Sequence, residues 1–325
     1  MEKTPDLTRR TLMKATATIA GIVPVMTAAT TALGAEQTPP AAQAAPLSGG
    51  PAPQPTTLAE VPLSADVTLT VERRGQIALL GLNRPALQNR IDPDTFRALA
   101  RALYDFDHDP SLRAVVLYGH GEHFSHGIDV DAFRKASAAG SPLVGVPRIV
   151  NPLNYGPGHR TKPLIVAVHG DTWNMAHELF LSADIRIAAA NTQFGQDENT
   201  HGRFPGGGST VRFVQEAGWG NAMRYMLTGD HWTADDAYRM GTLQEIAETP
   251  QAALERAIAI ANKVAACGPL GVQTTLASAH LAIDASQGPA FAALGAQYGA
   301  VYRTNDFIEG VTAEAQGRAP VFHGN

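Results

Sequence analysis

The amino-acid sequence predicts a mixed α/β fold that ends in a helical region. Three observations predict it. Short strand-like runs bounded by turn residues recur up to about residue 250. Helical patterns lie between successive runs, an order that calls for crossover connections. Beyond Pro250 the signals are mostly helical. The 325 residues are 44% apolar and 17% charged, so the chain has ample means to bury a core and is no disordered polymer.

The elements follow in order. Residues 67–71 and 77–82 are strand-like and parted by Arg73-Arg74-Gly75; Asn83-Arg84-Pro85 ends the second. Asp92-Pro93 opens a helix with a capping residue and a proline in the first turn, and Phe96, Leu99, Leu103 and Phe106 give it one apolar face. Residues 114–118, 164–168 and 185–188 are buried strands. Helices are expected over 252–266, 271–283, 289–302 and 306–316, with no internal repeat.

Arg9-Arg10 precedes a mildly apolar stretch, 15–33, that is broken by Thr, Gly and Pro24. The stretch is too interrupted for a permanent membrane span and resembles a twin-arginine export signal, with cleavage after Ala35 or Ala44. The expected organisation is a signal over 1–44, a Pro/Ala-rich linker over 45–61, an α/β core over 62–250 and a helical oligomerisation region over 251–325. The expected compartment is periplasmic or otherwise exported, and cytoplasmic if the leader is not functional. The 25 Lys+Arg against 30 Asp+Glu give a net charge of −5, which argues against a general nucleic-acid binder. A single cysteine, Cys267, excludes an intramolecular disulfide and a multi-cysteine metal site, and is expected to be a small buried residue. Trp173, Trp219 and Trp232 are expected to pack.

Three segments carry chemistry. Residues 119–130, Gly-His-Gly-Glu-His-Phe-Ser-His-Gly-Ile-Asp-Val, follow a buried strand. Residues 162–179 form strand, turn and helix through Val168-His-Gly-Asp-Thr-Trp-Asn-Met-Ala-His-Glu-Leu179. Gln193-Phe-Gly-Gln-Asp-Glu198 leads through Pro205-Gly-Gly-Gly-Ser-Thr210 into another helix. Their order and spacing, with 182–188 and Leu227-Thr-Gly229, resemble the crotonase (enoyl-CoA hydratase/isomerase) superfamily from about Val67 to Phe322.

The resemblance implies a spiral of ββα units, assembled as a homotrimer or hexamer through the C-terminal helices. It also implies an enolate-like oxyanion held by two backbone N–H groups, here those of Ile128 and Met175. A helix N-terminus offers such donors and a favourable dipole, and one donor aimed at developing charge contributes roughly 3 kcal/mol. Relatives often carry three glycines where this chain has Asn174-Met175-Ala176. Glu178 and Glu198 fall at the positions of the family's catalytic pair; two facing carboxylates can share a water, one taking a proton while the other gives one. Relatives meet coenzyme A with lysines at positions that here hold Ala86, Asp131 and Gly317, with Arg90, Arg134 and Arg318 nearby. No tightly bound cofactor is expected, and coenzyme A as acyl carrier stays open.

Histidines crowd the expected mouth: His120, His123, His126, His177 and His201. His126 and His177 adjoin the two donors and are candidates for substrate contact. No His-x3-His helix pair supports a metal, so none is expected. The function expected is hydration or isomerisation of an unsaturated carbonyl, a thioester by resemblance. Two other readings remain: a coenzyme-A-independent hydrolase cleaving a C–C bond in a small diketone, and a non-catalytic binding scaffold. The expected partner is a small carbonyl compound, with no nucleic acid and no membrane once the signal is removed.

Overall fold

The computed structural model describes residues 67–140, 146–156 and 159–325. The export signal expected over 1–44 and the linker over 45–61 lie outside the described residues. In chain order the strands are β1 (Leu69–Arg74), β2 (Ile77–Leu82), β3 (Ala114–Gly119), β4 (Leu164–Val168), β5 (Asp171–Trp173), β6 (Ile185–Ala189), β7 (Gln193–Gly195), β8 (Trp232–Thr233) and β9 (Glu245–Ala247). The helices are α1 (Pro93–His108), α2 (Val130–Ala138), α3 (Met175–Ser182), α4 (Ser209–Ala217), α5 (Trp219–Thr228), α6 (Ala234–Met240), α7 (Pro250–Ala265), α8 (Pro269–Val301) and α9 (Asn305–Gln316).

The main sheet has the order β1-β2-β3-β4-β6-β9. Only β1 runs antiparallel to its neighbour; every other pairing is parallel. Strands of a parallel sheet covered on both faces read as continuous apolar runs, which is why β2, β3 and β4 are buried along their whole length. Alternate residues serve opposite faces. Ile77, Leu79, Val116, Ile165 and Ile187 meet the Ala253, Leu254, Ala257 and Ala261 stripe of α7. Leu80, Leu82, Val115, Leu117 and Val166 meet Phe96, Leu99, Leu103 and Phe106 of α1 on the other face. Both helices begin as the residues dictate: Asp92 Oδ1 accepts from Thr95 N–H at 2.8 Å, Thr249 Oγ1 accepts from Ala252 N–H at 3.1 Å, and a proline follows each cap.

A second sheet of order β5-β7-β8 turns its apolar side, Phe194 and Trp232, into an aromatic cluster with Phe180 and Phe213. These strands of two or three residues are too short to show a period of two. The α/β core also runs past residue 250, because α7 packs on the main sheet, so the outer helical region begins with α8. The two helices expected over 271–283 and 289–302 are one helix of 33 residues that runs through Pro289. An internal proline forfeits a hydrogen bond and costs about 3 kcal/mol; here it lies on an exposed stretch, while Leu294 beyond it is buried. Two smaller expectations are corrected. Cys267 is exposed, at the turn between α7 and α8, and Trp219 is 71% exposed at the start of α5. Among the described residues no helix is long and apolar enough to cross a membrane.

Candidate active site

Two turns converge beyond the ends of β3 and β5. The first carries Ile128. Ile91 N–H donates to Gly127 O at 2.8 Å and Asp129 N–H donates to Ile91 O at 2.8 Å, a parallel bridge that leaves the N–H of Ile128 directed away from Ile91. The second turn carries Met175, the first residue of α3, whose N–H lacks an intrahelical acceptor. Among the described residues neither N–H donates to a protein acceptor. Gly127 lets the turns touch: its φ is +83°, and a Cβ there would lie 2.9 Å from Trp173 O and 3.4 Å from Met175 N.

Glu178 lies three residues along α3 from Met175, on the same helix face. It is 3% exposed. Its Oε1 accepts from Gly207 N–H at 2.7 Å and from Ser209 N–H at 3.3 Å. Glu198 opens the single turn Glu198–His201 after β7 and is 7% exposed. Gln196 Nε2 donates to both of its oxygens, at 2.9 and 3.1 Å. The Gln196 amide is held in that sense because Ser209 Oγ and His177 Nδ1 both donate to its Oε1, at 2.8 and 2.5 Å. Burial pushes both carboxyls above their ordinary range. The Glu178 charge pushes Glu198 further, while the Ser209 and Gly207 N–H groups pull Glu178 back.

Aromatic side chains pack around the glycine loop that holds Glu178. Tyr155 stacks on Phe291 of α8 with ring centres 5.1 Å apart, and its hydroxyl donates to Gly206 O at 3.4 Å. Tyr298 of α8 lies against Gly206, where a Cβ would meet its ring at 2.9 Å. Arg212 of α4 donates to Leu153 O and Asn154 O, both at 2.7 Å, and its charge favours the Glu178 carboxylate.

The expected site residues are thus sorted by position. Glu178 and Glu198 are both buried and are linked through Ser209 and Gln196, and the turns bearing Ile128 and Met175 abut. His177 lies elsewhere. One residue along a helix is a rotation of about 100°, which sends its ring into the core while Glu178 faces the pocket. The ring is fully buried among Phe180, Phe194, Phe213 and Trp232, and burial lowers its pKa to about 3. It is a neutral packing residue that orients Gln196, not a group at the mouth. His126 stacks on Trp173 with ring centres 4.1 Å apart and bonds Asp171 Oδ2 through Nε2 at 2.8 Å. His120 bonds Thr70 Oγ1 at 2.9 Å. His201 faces Asp197 and Glu314 at 3.8 and 4.0 Å. Among the described residues, His123, His126 and Asp171 bring potential metal-ligating atoms within 4.8 Å of one another. Within the cluster His126 Nε2 bonds Asp171 Oδ2, and His123 Nδ1 accepts the Asp171 main-chain N–H at 3.1 Å. Gln196, Gly207, Ser209, Tyr155 and Tyr298 were not singled out from sequence. Pro205-Gly-Gly-Gly-Ser carried the one available signal, a tight helix entry, but nothing in it says that its N–H groups face Glu178.

Comparison with known proteins matches residues 72–325 to a family described as enoyl-CoA hydratase/isomerase. The enoyl-CoA hydratase EchA19 of Mycobacterium tuberculosis is 34% identical over 262 residues, covering 78% of this chain and 95% of that protein. The 2,3-dehydroadipyl-CoA hydratase of Escherichia coli is 31% identical over 260 residues, covering 79% and 98%. Among solved structures, a probable enoyl-CoA hydratase/isomerase from Mycobacterium abscessus is 39% identical with a TM-score of 0.65, covering 80% of this chain and 99% of that one. Carnitinyl-CoA hydratase from Mycobacterium avium is 30% identical with a TM-score of 0.71, covering 79% and 99%.

Proposed function

Because the chain belongs to the enoyl-CoA hydratase/isomerase family and is an enzyme of the lyase/isomerase class, we propose that it adds water across the C=C bond of an α,β-unsaturated thioester. The observation that carries the reading is the buried Glu178–Glu198 pair, one turn of helix from a free main-chain donor.

The two acids differ in their partners, and the difference assigns their roles. Glu178 is served by two main-chain N–H groups and so is the better carboxylate. Glu198, deeper in the influence of its neighbour's charge, holds its proton more tightly than an ordinary carboxyl. Glu178 takes a proton from a water held between the pair, and the water oxygen bonds to the β-carbon. The π electrons move through the α-carbon onto the thioester oxygen, where the Ile128 and Met175 N–H groups meet the developing charge. Glu198 then gives its proton to the α-carbon, and the Gln196 amide stabilises the carboxylate left behind. The C=C bond has gained H and OH from one water; proton exchange between the acids restores the start.

The carrier on the thioester is a separate proposal. Among the arginines near the lysine-free positions, Arg134 bonds Asp131 at 3.2 Å and Arg318 bonds both Glu309 oxygens, at 2.6 and 2.9 Å. Arg90 bonds only Gln88, at 3.4 Å. We place little of the binding on the nucleotide end of coenzyme A. Export is supported by Arg9-Arg10 ahead of residues 15–33. Assembly through the C-terminal helices is supported by Leu270 and Leu281 of α8 and Ile308 of α9, which are 76%, 75% and 61% exposed.

The test is hydration of a short trans-2-enoyl thioester by the purified protein, followed by loss of the conjugated enoyl absorbance. Glu198→Gln is expected to lower kcat by about 10²–10⁴-fold, the usual worth of a positioned acid, with circular dichroism unchanged. Wild-type turnover no faster than the variant's overturns the reading.

A further inference from the structure

Asn174 stands where β5 turns into α3, with φ 55° and ψ −120°. A side chain on an L residue disfavours that conformation, and such strain persists only where the surroundings over-determine it. Here they do. The Asn174 N–H donates to Gly195 O at 2.8 Å, and its carbonyl accepts the Glu178 N–H at 3.0 Å. Its side chain is not used as a helix cap. Instead Nδ2 donates to Asp197 Oδ1 at 2.8 Å and Oδ1 accepts the Asp197 N–H at 3.0 Å, a ring of two hydrogen bonds between residues 23 apart in the chain. An amide suits this because it offers a donor and an acceptor on one planar head.

Asp197 is fixed from its other side as well. Its Oδ2 faces His231 Nε2 at 3.4 Å and His201 Nε2 at 3.8 Å, and its side chain is 17% exposed. Burial disfavours its charge, but His201, His231 and Asn174 outweigh that and hold the carboxyl well below its ordinary range. Asp197 is therefore a constant acceptor near neutral pH.

The neighbours of the two residues give the contact its meaning. Met175, with its free N–H, follows Asn174 directly, and Glu198 follows Asp197 directly. We infer that the Asn174–Asp197 clamp is a positioning device that holds the Met175 donor in register with Glu198, at a turn whose backbone would otherwise relax. The inference rests on the hydration reading. Neither residue touches reacting atoms.

The experiment compares Asp197→Ala with the double variant Asp197→Ala/Asn174→Gly. Opening the clamp leaves a strained turn held only by its main-chain hydrogen bonds to Gly195 and Glu178. Misplacing a catalytic group by about 1 Å costs on the order of 100-fold, so Asp197→Ala should lower kcat by about 10–100-fold with KM changed less than about threefold. Glycine takes the positive φ without help, so adding Asn174→Gly should restore most of the lost kcat, which a merely structural loss would not allow. A kcat for Asp197→Ala within about twofold of wild type overturns the inference, as does a double variant no faster than the single one. If the wild type hydrates no thioester, it is the hydration reading that fails. The clamp is then judged by a denaturation cycle over Asn174→Ala, Asp197→Ala and the pair: non-additive losses uphold it and additive losses overturn it.

Discussion

Gly207→Ala tests the pocket at its tightest point. The Gly207 N–H donates to Glu178 Oε1 at 2.7 Å, and a Cβ on Gly207 would lie 2.1 Å from Oε2 and 2.6 Å from Cδ of the same side chain. Ordinary van der Waals contact begins near 3.4 Å, so the carboxylate must retreat by more than an ångström. It has little room to do so, being boxed by the Ser209 N–H and the walls of Tyr155 and Tyr298. Overpacking of this kind costs about 1–3 kcal/mol of stability, and displacing a reacting group by about 1 Å costs on the order of 100-fold in rate. The variant should therefore melt a few degrees lower yet remain folded at 25 °C, with kcat for enoyl-thioester hydration down about 100-fold and KM much less affected. Steady-state kinetics with a thermal melt on the same preparation reads both. A Gly207→Ala enzyme with wild-type kcat would mean that the Glu178 carboxylate does not occupy that position during turnover, and the assignment of Glu178 as base would fall.

Four further outcomes are expected. Burial and the neighbouring Glu178 charge raise the Glu198 carboxyl above its unfolded value of about 4.3, so the folded state binds that proton more tightly than the unfolded state. The associated stability is complete below the unfolded value and is lost as pH rises through the folded one. Glu198→Gln should thus melt above wild type at pH 8, with the gap closing toward pH 4; a gap that is absent at pH 8 contradicts the burial argument. Since the reaction needs Glu178 ionised and Glu198 protonated, kcat/KM should fall both on acidification and at alkaline pH, and a rate still rising at pH 10 would be inconsistent with Glu198 as acid. For the carrier, enoyl-pantetheine should be hydrated with kcat/KM within about tenfold of enoyl-CoA, whereas two charge-assisted phosphate contacts at about 1.5–3 kcal/mol each would separate them by 100-fold or more. For export, Arg9→Lys/Arg10→Lys should leave the precursor in the cytoplasm, and unchanged fractionation would reject the leader.

The sequence revealed the parts whose cause is local. Residues 164–168 were legible as a strand because both faces are covered and no polar residue interrupts them, and β4 has those bounds. The helix after Asp92-Pro93 was legible because cap, proline and apolar spacing agree. The strands β5, β7, β8 and β9 were not, since two or three residues carry no period and are fixed by partners far along the chain. Pro289 marked a break that packing overrides. In the pocket, Glu178 and Glu198 stood out as acids at telling positions, whereas the groups that tune them did not. Gly207 and Ser209 act through main-chain N–H groups, which every non-proline residue possesses, and only the fold decides which of them faces a carboxylate. His177 shows the converse. It was drawn toward the mouth by its place near the Met175 donor, but helical rotation separates residues that sequence places together.

Proton retention in this pocket also ties the chemistry to a distant part of the chain. An acid that holds its proton above the ordinary carboxyl range must be kept from water, because exposed carboxyls ionise near pH 4. Glu178 and Glu198 are buried, and the glycine loop that holds Glu178 is met by Phe291 and Tyr298 of α8, outside the α/β core. Phe291 reaches Tyr155 and the Arg212 guanidinium, 5.1 Å from its ring centre, and Tyr298 lies on the glycine loop whose N–H groups hold Glu178. On the hydration reading, undocking α8 is expected to admit water near Glu178 and lower its carboxyl toward the ordinary range, with loss of enoyl-thioester hydration. On that reading α8 contributes to the site through Phe291 and Tyr298, which the helix beyond Pro289 brings to Tyr155, Arg212 and the glycine loop that holds Glu178.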